Sequence, residues 1–246
     1  MNYLIDEAQT IGENGSKSHG ANSVVSLLHH FFSWFGQGEK SCVLHADNCG
    51  GQNKNRTVIS YCAWRIICGL HEAITLSFMV AGHTRCLVDG HFGLLKRKYR
   101  RSDVNSTPEL VEVVESSAAT NTSHTVDGSN MWREWDSFFT QFFRPVPHIQ
   151  RQQHFRFDHT SPGKVIVREG LDSPPTTLSL LKRSVTLADV RNAEIPQFLP
   201  PGWLSMERQK YLFKEIRPHV SVDCQDQLCP SPAEEECPLQ LAMDTG

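Results

Sequence analysis

No stretch of this sequence reaches 18 uninterrupted apolar residues, so no segment reads as a membrane-spanning helix. The most apolar part, residues 24–35, is broken by His29, His30 and Ser33. The opening Met1-Asn2-Tyr3-Leu4-Ile5-Asp6-Glu7 has neither a basic start nor an apolar signal core, which argues against a secretory leader. There are 8 cysteines, yet no pair shows C-x-x-C spacing, which excludes a zinc site built that way. Cys42, Cys49, Cys62, Cys68 and Cys86 fall in segments that read as strand or helix, unlike a disulfide framework. Reduced thiols in an intracellular protein are therefore expected. The sequence has no internal repeat.

Of the 246 residues, 39% are hydrophobic and 21% charged, enough apolar material for a core and too much for a wholly disordered chain. The net charge of −3 hides an asymmetry: from Asp223 onward there are six acidic residues and no basic ones, which leaves +3 on residues 1–222. Within that part, Lys96, Arg97, Lys98, Arg100 and Arg101 put five cations into six residues. A basic patch on a body with an acidic tail is compatible with nucleic-acid contact.

Hydrophobic spacing organises the first 110 residues as alternating strands and helices. Residues 3–5 form a short apolar run that reads as a core strand. Residues 11–20 are rich in Gly, Ser and Asn and read as a loop. Residues 21–35 show helical spacing up to Gly36, residues 41–46 read as a buried strand, and residues 55–68 as a helix stopped by Gly69. Residues 73–80 form a further strand, and Asp89 is placed to cap a helix through Phe92, Leu95 and Tyr99. Strand, helix, strand with short loops implies a parallel pair joined by a right-handed crossover, hence an α/β sheet with helices on its faces.

Residues 116–130 lack periodicity and read as a mobile linker. Beyond them, residues 131–143 place Trp132, Trp135, Phe138 and Phe142 on one helical face, more in keeping with core than with a base-stacking platform. Residues 154–158 and 164–168, bridged by Ser161-Pro162-Gly163, read as a β-hairpin. Ser205 caps a last amphipathic helix to residue 216. The tail from Asp223 reads as disordered, and its Cys224, Cys229 and Cys237 as binding nothing.

Chemistry concentrates in Asp47-Asn48-Cys49-Gly50-Gly51-Gln52-Asn53-Lys54-Asn55. An acid at the carboxyl end of a strand, two glycines and a helix start make the place where open α/β sheets hold ligands. The glycines admit close backbone approach to a phosphate, and a helix N-terminus favours anions. Gly82-His83-Thr84 leaves the next strand and leads to Asp89. Two carboxylates at one sheet edge suit a hard divalent ion such as Mg²⁺ or Mn²⁺. The same string also reads as an ordinary turn whose Asp and Asn bond to their own backbone, and Asp89 as a plain helix cap. His83 and His91 are candidate proton carriers, or simply turn hydrogen bonders. Lys54 and Arg56, with Lys96, Arg97, Lys98, Arg100 and Arg101, form a candidate phosphate rim. The basic run reads equally as a solvated helix end or a nuclear-import signal.

These motifs carry a resemblance. The Asp-Asn-Cys-x-Gly-Gln-Asn-Lys-Asn string, Gly82-His83-Thr84 and Asp89-x-x-Phe92-Gly93, with Leu4-Ile5-Asp6-Glu7 and Gly20-Ala21-Asn22, resemble a group of transposon-derived proteins with an RNase H-like, DDE-type integrase core. The likeness spans most of residues 1–220. It implies an α/β fold with an RNase H-like mixed sheet and flanking helices, a small C-terminal α+β extension and an acidic tail. It also implies Asp47 and Asp89 as catalytic and metal-binding acids, supported by Asn48, Gln52, Asn53, His83 and His91. On this mapping residues 3–5 are the third strand, so the first two strands and the first acid are missing, with Asp6 or Glu7 as replacement ligands. The organisation expected is a truncated core over residues 1–115, a linker over 116–130, an extension over 131–222 and a disordered tail over 223–246. The function expected is a truncated or domesticated transposase remnant, nuclear, contacting a divalent ion and DNA with little catalysis. The alternatives are a non-enzymatic interaction protein that kept the fold, or a metal-dependent DNA nuclease or integrase.

Overall fold

The computed structural model describes residues 1–79 and 87–232. Gly82, His83, Thr84 and Cys86, and the tail from residue 233 with Cys237, lie outside the described residues. The elements follow in chain order: β1 Asn2–Leu4, α1 Ala21–Trp34, β2 Ser41–Ala46, α2 Arg56–Ile67, β3 Ala73–Phe78, α3 Leu87–Tyr99, α4 Thr107–Ser116, β4 Ser123–Thr125, α5 Trp135–Phe142, β5 His154–Asp158, β6 Lys164–Arg168, β7 Thr176–Ser179, α6 Leu187–Asn192, α7 Met206–Tyr211 and α8 Gln225–Leu228. The architecture is mixed α/β, with eight α-helices and a mixed five-stranded sheet among the described residues.

The chain divides into two compact units that cut across the expected domain boundaries. The larger takes residues 5–92 and 125–203 and holds the sheet, in the order β2-β3-β5-β6-β7. β2 and β3 run parallel, with Ser41 beside Ala73 and Ala46 beside Phe78, as the crossover through α2 requires. The other pairings are antiparallel. The expected hairpin is β5 and β6, and its turn holds Gly163 at φ 78°, a left-handed conformation that glycine adopts at no steric cost.

Alternation along the strands assigns two unlike faces. Ile74, Leu76, Phe155, Phe157, Val165 and Val167 are buried beneath helices, whereas Val43, His45, Arg156 and Arg168 on the opposite face are exposed. Helices thus cover one face within this unit, where two were expected. β2 also departs from expectation. It is the end strand of the sheet, its residues alternate between exposed and half-buried, and Val43 is 61% exposed.

The core centres on α2, which buries eleven of its twelve residues between the sheet and α1, α5 and α6. Tyr61, Trp64, Trp135, Phe139 and Phe143 pack ring against ring, each large side chain contributing roughly 1.5–3 kcal/mol by leaving water. The aromatic run is therefore core, although Trp132 precedes α5 and is buried with its Nε1 donating to the Gln9 carbonyl. Arg65, 6% exposed in the last turn of α2, donates to Tyr61 Oη and His71 Nδ1 at 3.0 Å each and lies over the Phe32 ring.

The smaller unit takes residues 1–4, 93–124 and the chain from 204. Here β1 pairs with β4 in a separate two-stranded sheet and its residues are only half-buried, so residues 3–5 are not a strand of the five-stranded sheet. Ile5 is 37% exposed. The span read as a linker carries β4 and a 3-10 turn at Gly128–Asn130, with Val126 buried. The start of the tail is ordered too: α8 follows residue 224, Arg217 pairs with Asp226 at 2.6 Å, and Cys229 is buried.

Candidate functional site

The loop after β2 is held by its own side chains. Asp47 Oδ1 accepts from the Cys49 N–H at 2.9 Å and from Asn53 Nδ2 at 2.8 Å. The Cys49 carbonyl accepts from the N–H groups of Gln52, Asn53 and Lys54. Asn48 Nδ2 donates to the Met79 carbonyl at the end of β3, and Asn48 Oδ1 accepts from Lys54 Nζ at 2.8 Å. Asn55 caps α2 by accepting from Val58 N–H at 3.1 Å, and its Nδ2 donates to the Gln52 carbonyl. Most of the unusual string is thus scaffold, as the turn reading anticipates. Asp47 itself is exposed, and its Oδ2 has no hydrogen-bond partner among the described residues.

Lys54 is not part of a phosphate rim. It is 1% exposed, and its ammonium also donates to the Gln150 carbonyl at 3.1 Å and to Gln153 Oε1 at 3.4 Å, above the Phe78 ring. Burial pushes its pKa down. Arg56 is likewise engaged, its Nη2 donating to Asp136 at 3.0 and 3.2 Å. Burial pushes the Asp136 carboxyl up, but the Thr57 hydroxyl and the Arg56 guanidinium outweigh it and hold the group below the usual carboxylate range. Arg56 and Asp136 stand 80 residues apart, and no local pattern pairs them. Beside this pair lies a cleft of about 1010 Å³, with Gly51 and Thr57 on one side and Lys17, Asn22 and Pro200 on others.

Asp89 lies within the first turn of α3, where an acid complements the helix dipole, rather than at its cap. His91 is exposed on the same helix, and His83 lies outside the described residues. Lys96, Arg97 and Lys98 occupy the last turn of α3, with Arg100 and Arg101 just beyond; all five are exposed and form no ion pair among the described residues. These five cations belong to the smaller unit, Asp47 and Arg56 to the larger. Asp6 caps a 3-10 turn by accepting from Ala8 N–H at 2.7 Å, and Glu7 shares a cavity of about 580 Å³ with Gln52.

Among the described residues no three His, Cys, Asp or Glu side chains gather to hold a metal ion. The donor set at Asp47 fits a loosely held ion that keeps most of its water, as Mg²⁺ does, and does not fit a closed cage.

Comparison with curated proteins and with solved structures finds no match. A domain family of unknown function, DUF7869, matches residues 7–170, a span that takes in the Asp47 loop, Asp89, the basic run and the β5–β6 hairpin. That span is more than half of the chain, which therefore belongs to the DUF7869 family.

Proposed function

We propose that the chain is a transposase-derived, RNase H-like domain that meets nucleic acid and a divalent cation, Mg²⁺ or Mn²⁺, with little or no phosphodiester cleavage. The observation that supports the reading best is the place of Asp47. It stands at the carboxyl end of the parallel β2–β3 pair, on the turn into α2, with one carboxylate oxygen toward solvent. The five exposed cations at residues 96–101 add a surface suited to phosphates, and the same run suits import into the nucleus. Weak catalysis follows from the donor set, because two-metal phosphodiester chemistry needs several acids sharing the ions. A non-enzymatic interaction protein is the second reading, favoured by the loop string serving its own scaffold.

DNA binding measured by fluorescence anisotropy across a salt series separates the two. The first reading expects the logarithm of the binding constant to fall by about 0.9 per neutralised phosphate for each unit rise in log salt. Replacing Lys96, Arg97, Lys98, Arg100 and Arg101 by Gln flattens that slope. Absence of binding at low salt would overturn the reading. Mg²⁺- or Mn²⁺-dependent cleavage lost in Asp47→Ala would instead favour an active nuclease.

A further inference from the structure

The strand register aligns four polar side chains across the open sheet face. His45 of β2 stands beside Ser77 of β3, Ser77 beside His154 of β5, and His154 beside Arg168 of β6. Adjacent strands lie about 4.8 Å apart, so neighbours in this row can touch one small group together. All four line a groove of about 940 Å³ in the larger unit, a volume within the range of small-molecule sites. Ser77 Oγ and His154 Nδ1 share a hydrogen bond at 3.0 Å, which fixes the imidazole. Arg168 donates through Nη1 to the Leu171 carbonyl at 3.1 Å, and its other N–H groups have no partner among the described residues.

We propose that this groove binds a nucleoside monophosphate whose base carries an amino group. The Arg168 guanidinium and the one proton donor that the Ser77–His154 pair leaves free, the imidazole Nε2–H or the hydroxyl, give a tetrahedral oxyanion charge-assisted hydrogen bonds from one side. Leu171, 75% exposed, and Pro175 supply apolar surface for the sugar and base. The remaining charges in the groove are Arg156, already paired with Asp158 at 3.0 Å, and the acids Glu169 and Asp172 on the segment after β6. Those acids oppose a second anionic group, so the ligand has one phosphate. They accept from an exocyclic amine, as carboxylates do from cytosine N4, which selects cytosine or adenine over uracil. This site uses none of the residues at the Asp47 loop, so it stands or falls apart from the reading given there.

The test is titration of the full chain with CMP, UMP and cytidine, by calorimetry and by NMR of the His154 ring. CMP is expected to bind in the sub-millimolar range and to shift the His154 signals. Cytidine and UMP are each expected to bind about tenfold more weakly, the first for want of the phosphate and the second for want of the amine. Arg168→Gln costs about tenfold for CMP, and Ser77→Ala weakens it as well, whereas Arg183→Gln, an exposed control, changes nothing. Glu169→Gln with Asp172→Asn removes the preference for CMP over UMP. Cytidine binding as tightly as CMP, no binding of CMP, or unchanged affinity in Arg168→Gln would each overturn the proposal.

Discussion

Acid weakens the larger unit through two histidines of its core, half-buried His29 and buried His71. Burial, with the Arg65, Arg133 and His30 charges, pushes His29 from an ordinary 6.5 to about 4. Burial and Arg65 do the same for His71, with Lys40 adding and Glu39 opposing. His29 sits among the rings of Tyr61, Trp64 and Trp135, its Nδ1 buried without a partner among the described residues. His71, 3% exposed, uses Nδ1 to accept from Arg65 Nε, which protonation forbids. Above about pH 6.5 both rings are neutral whether the chain is folded or not, and they cost nothing. Between 6.5 and 4 the unfolded chain takes up protons that the folded chain refuses, so stability falls with pH; below 4 this contribution levels off. At pH 5 each ring costs at most about 2 kcal/mol, and about 2–4 kcal/mol for the pair is expected once local opening is allowed for. His154, pushed down by burial and by the Arg168 and His45 charges, adds in the same direction. Urea unfolding followed by fluorescence of the buried tryptophans, at pH 8, 6 and 5, measures the loss. His71→Gln, which keeps an acceptor for Arg65, is expected to remove about half of the drop between pH 8 and pH 5. A midpoint that stays flat over that interval, or an undiminished drop in His71→Gln, refutes the reasoning.

Further expectations concern the loop and the close backbone approach at Gly128. Lys54→Ala leaves three acceptors without their ammonium, and a loss of about 3 kcal/mol in thermal or urea unfolding is expected. Asp47→Asn keeps the Oδ1 acceptor for Cys49 and Asn53, so the free energy of unfolding changes by less than about 0.5 kcal/mol. The same change abolishes Mn²⁺ broadening of the NMR signals of Cys49 to Asn53 if the carboxylate is the ligand. Gly128→Ala drives a methyl group into the Gln9 backbone and costs about 2–4 kcal/mol, whereas Gly51→Ala meets nothing within 4 Å and is near neutral in the same assay.

Elements with a strong local signal were legible. The β5–β6 hairpin carries strict alternation and a Pro-Gly turn, and α1 and α2 carry apolar spacing and end signals, so each is found within a residue or two of its expected span. What was not legible depends on neighbours. An apolar run such as residues 3–5 reads alike whether its partner is a large sheet or the short β4, and β2 reads as buried because Cys42, Val43 and Leu44 show nothing of the end position that exposes Val43. Lys54 follows polar residues in a loop, and only the return of residues 150–153 encloses it. Asp136 is invisible as a site residue because its partners Arg56 and Thr57 lie some 80 positions earlier. The side-chain row on the open face follows from register, which no single strand encodes.

The seam between β3 and β5 has a consequence for synthesis. Ser77 meets His154 across 77 positions, and α2 must also wait for α5 before its aromatic flank is covered. At roughly 5–20 residues per second, a nascent chain holds the β2–α2–β3 half with its greasy side bare for about 4–15 seconds before the second half emerges. Aggregation during expression is therefore governed by how well that half is shielded at the ribosome, and slowed translation through residues 79–153 aggravates it.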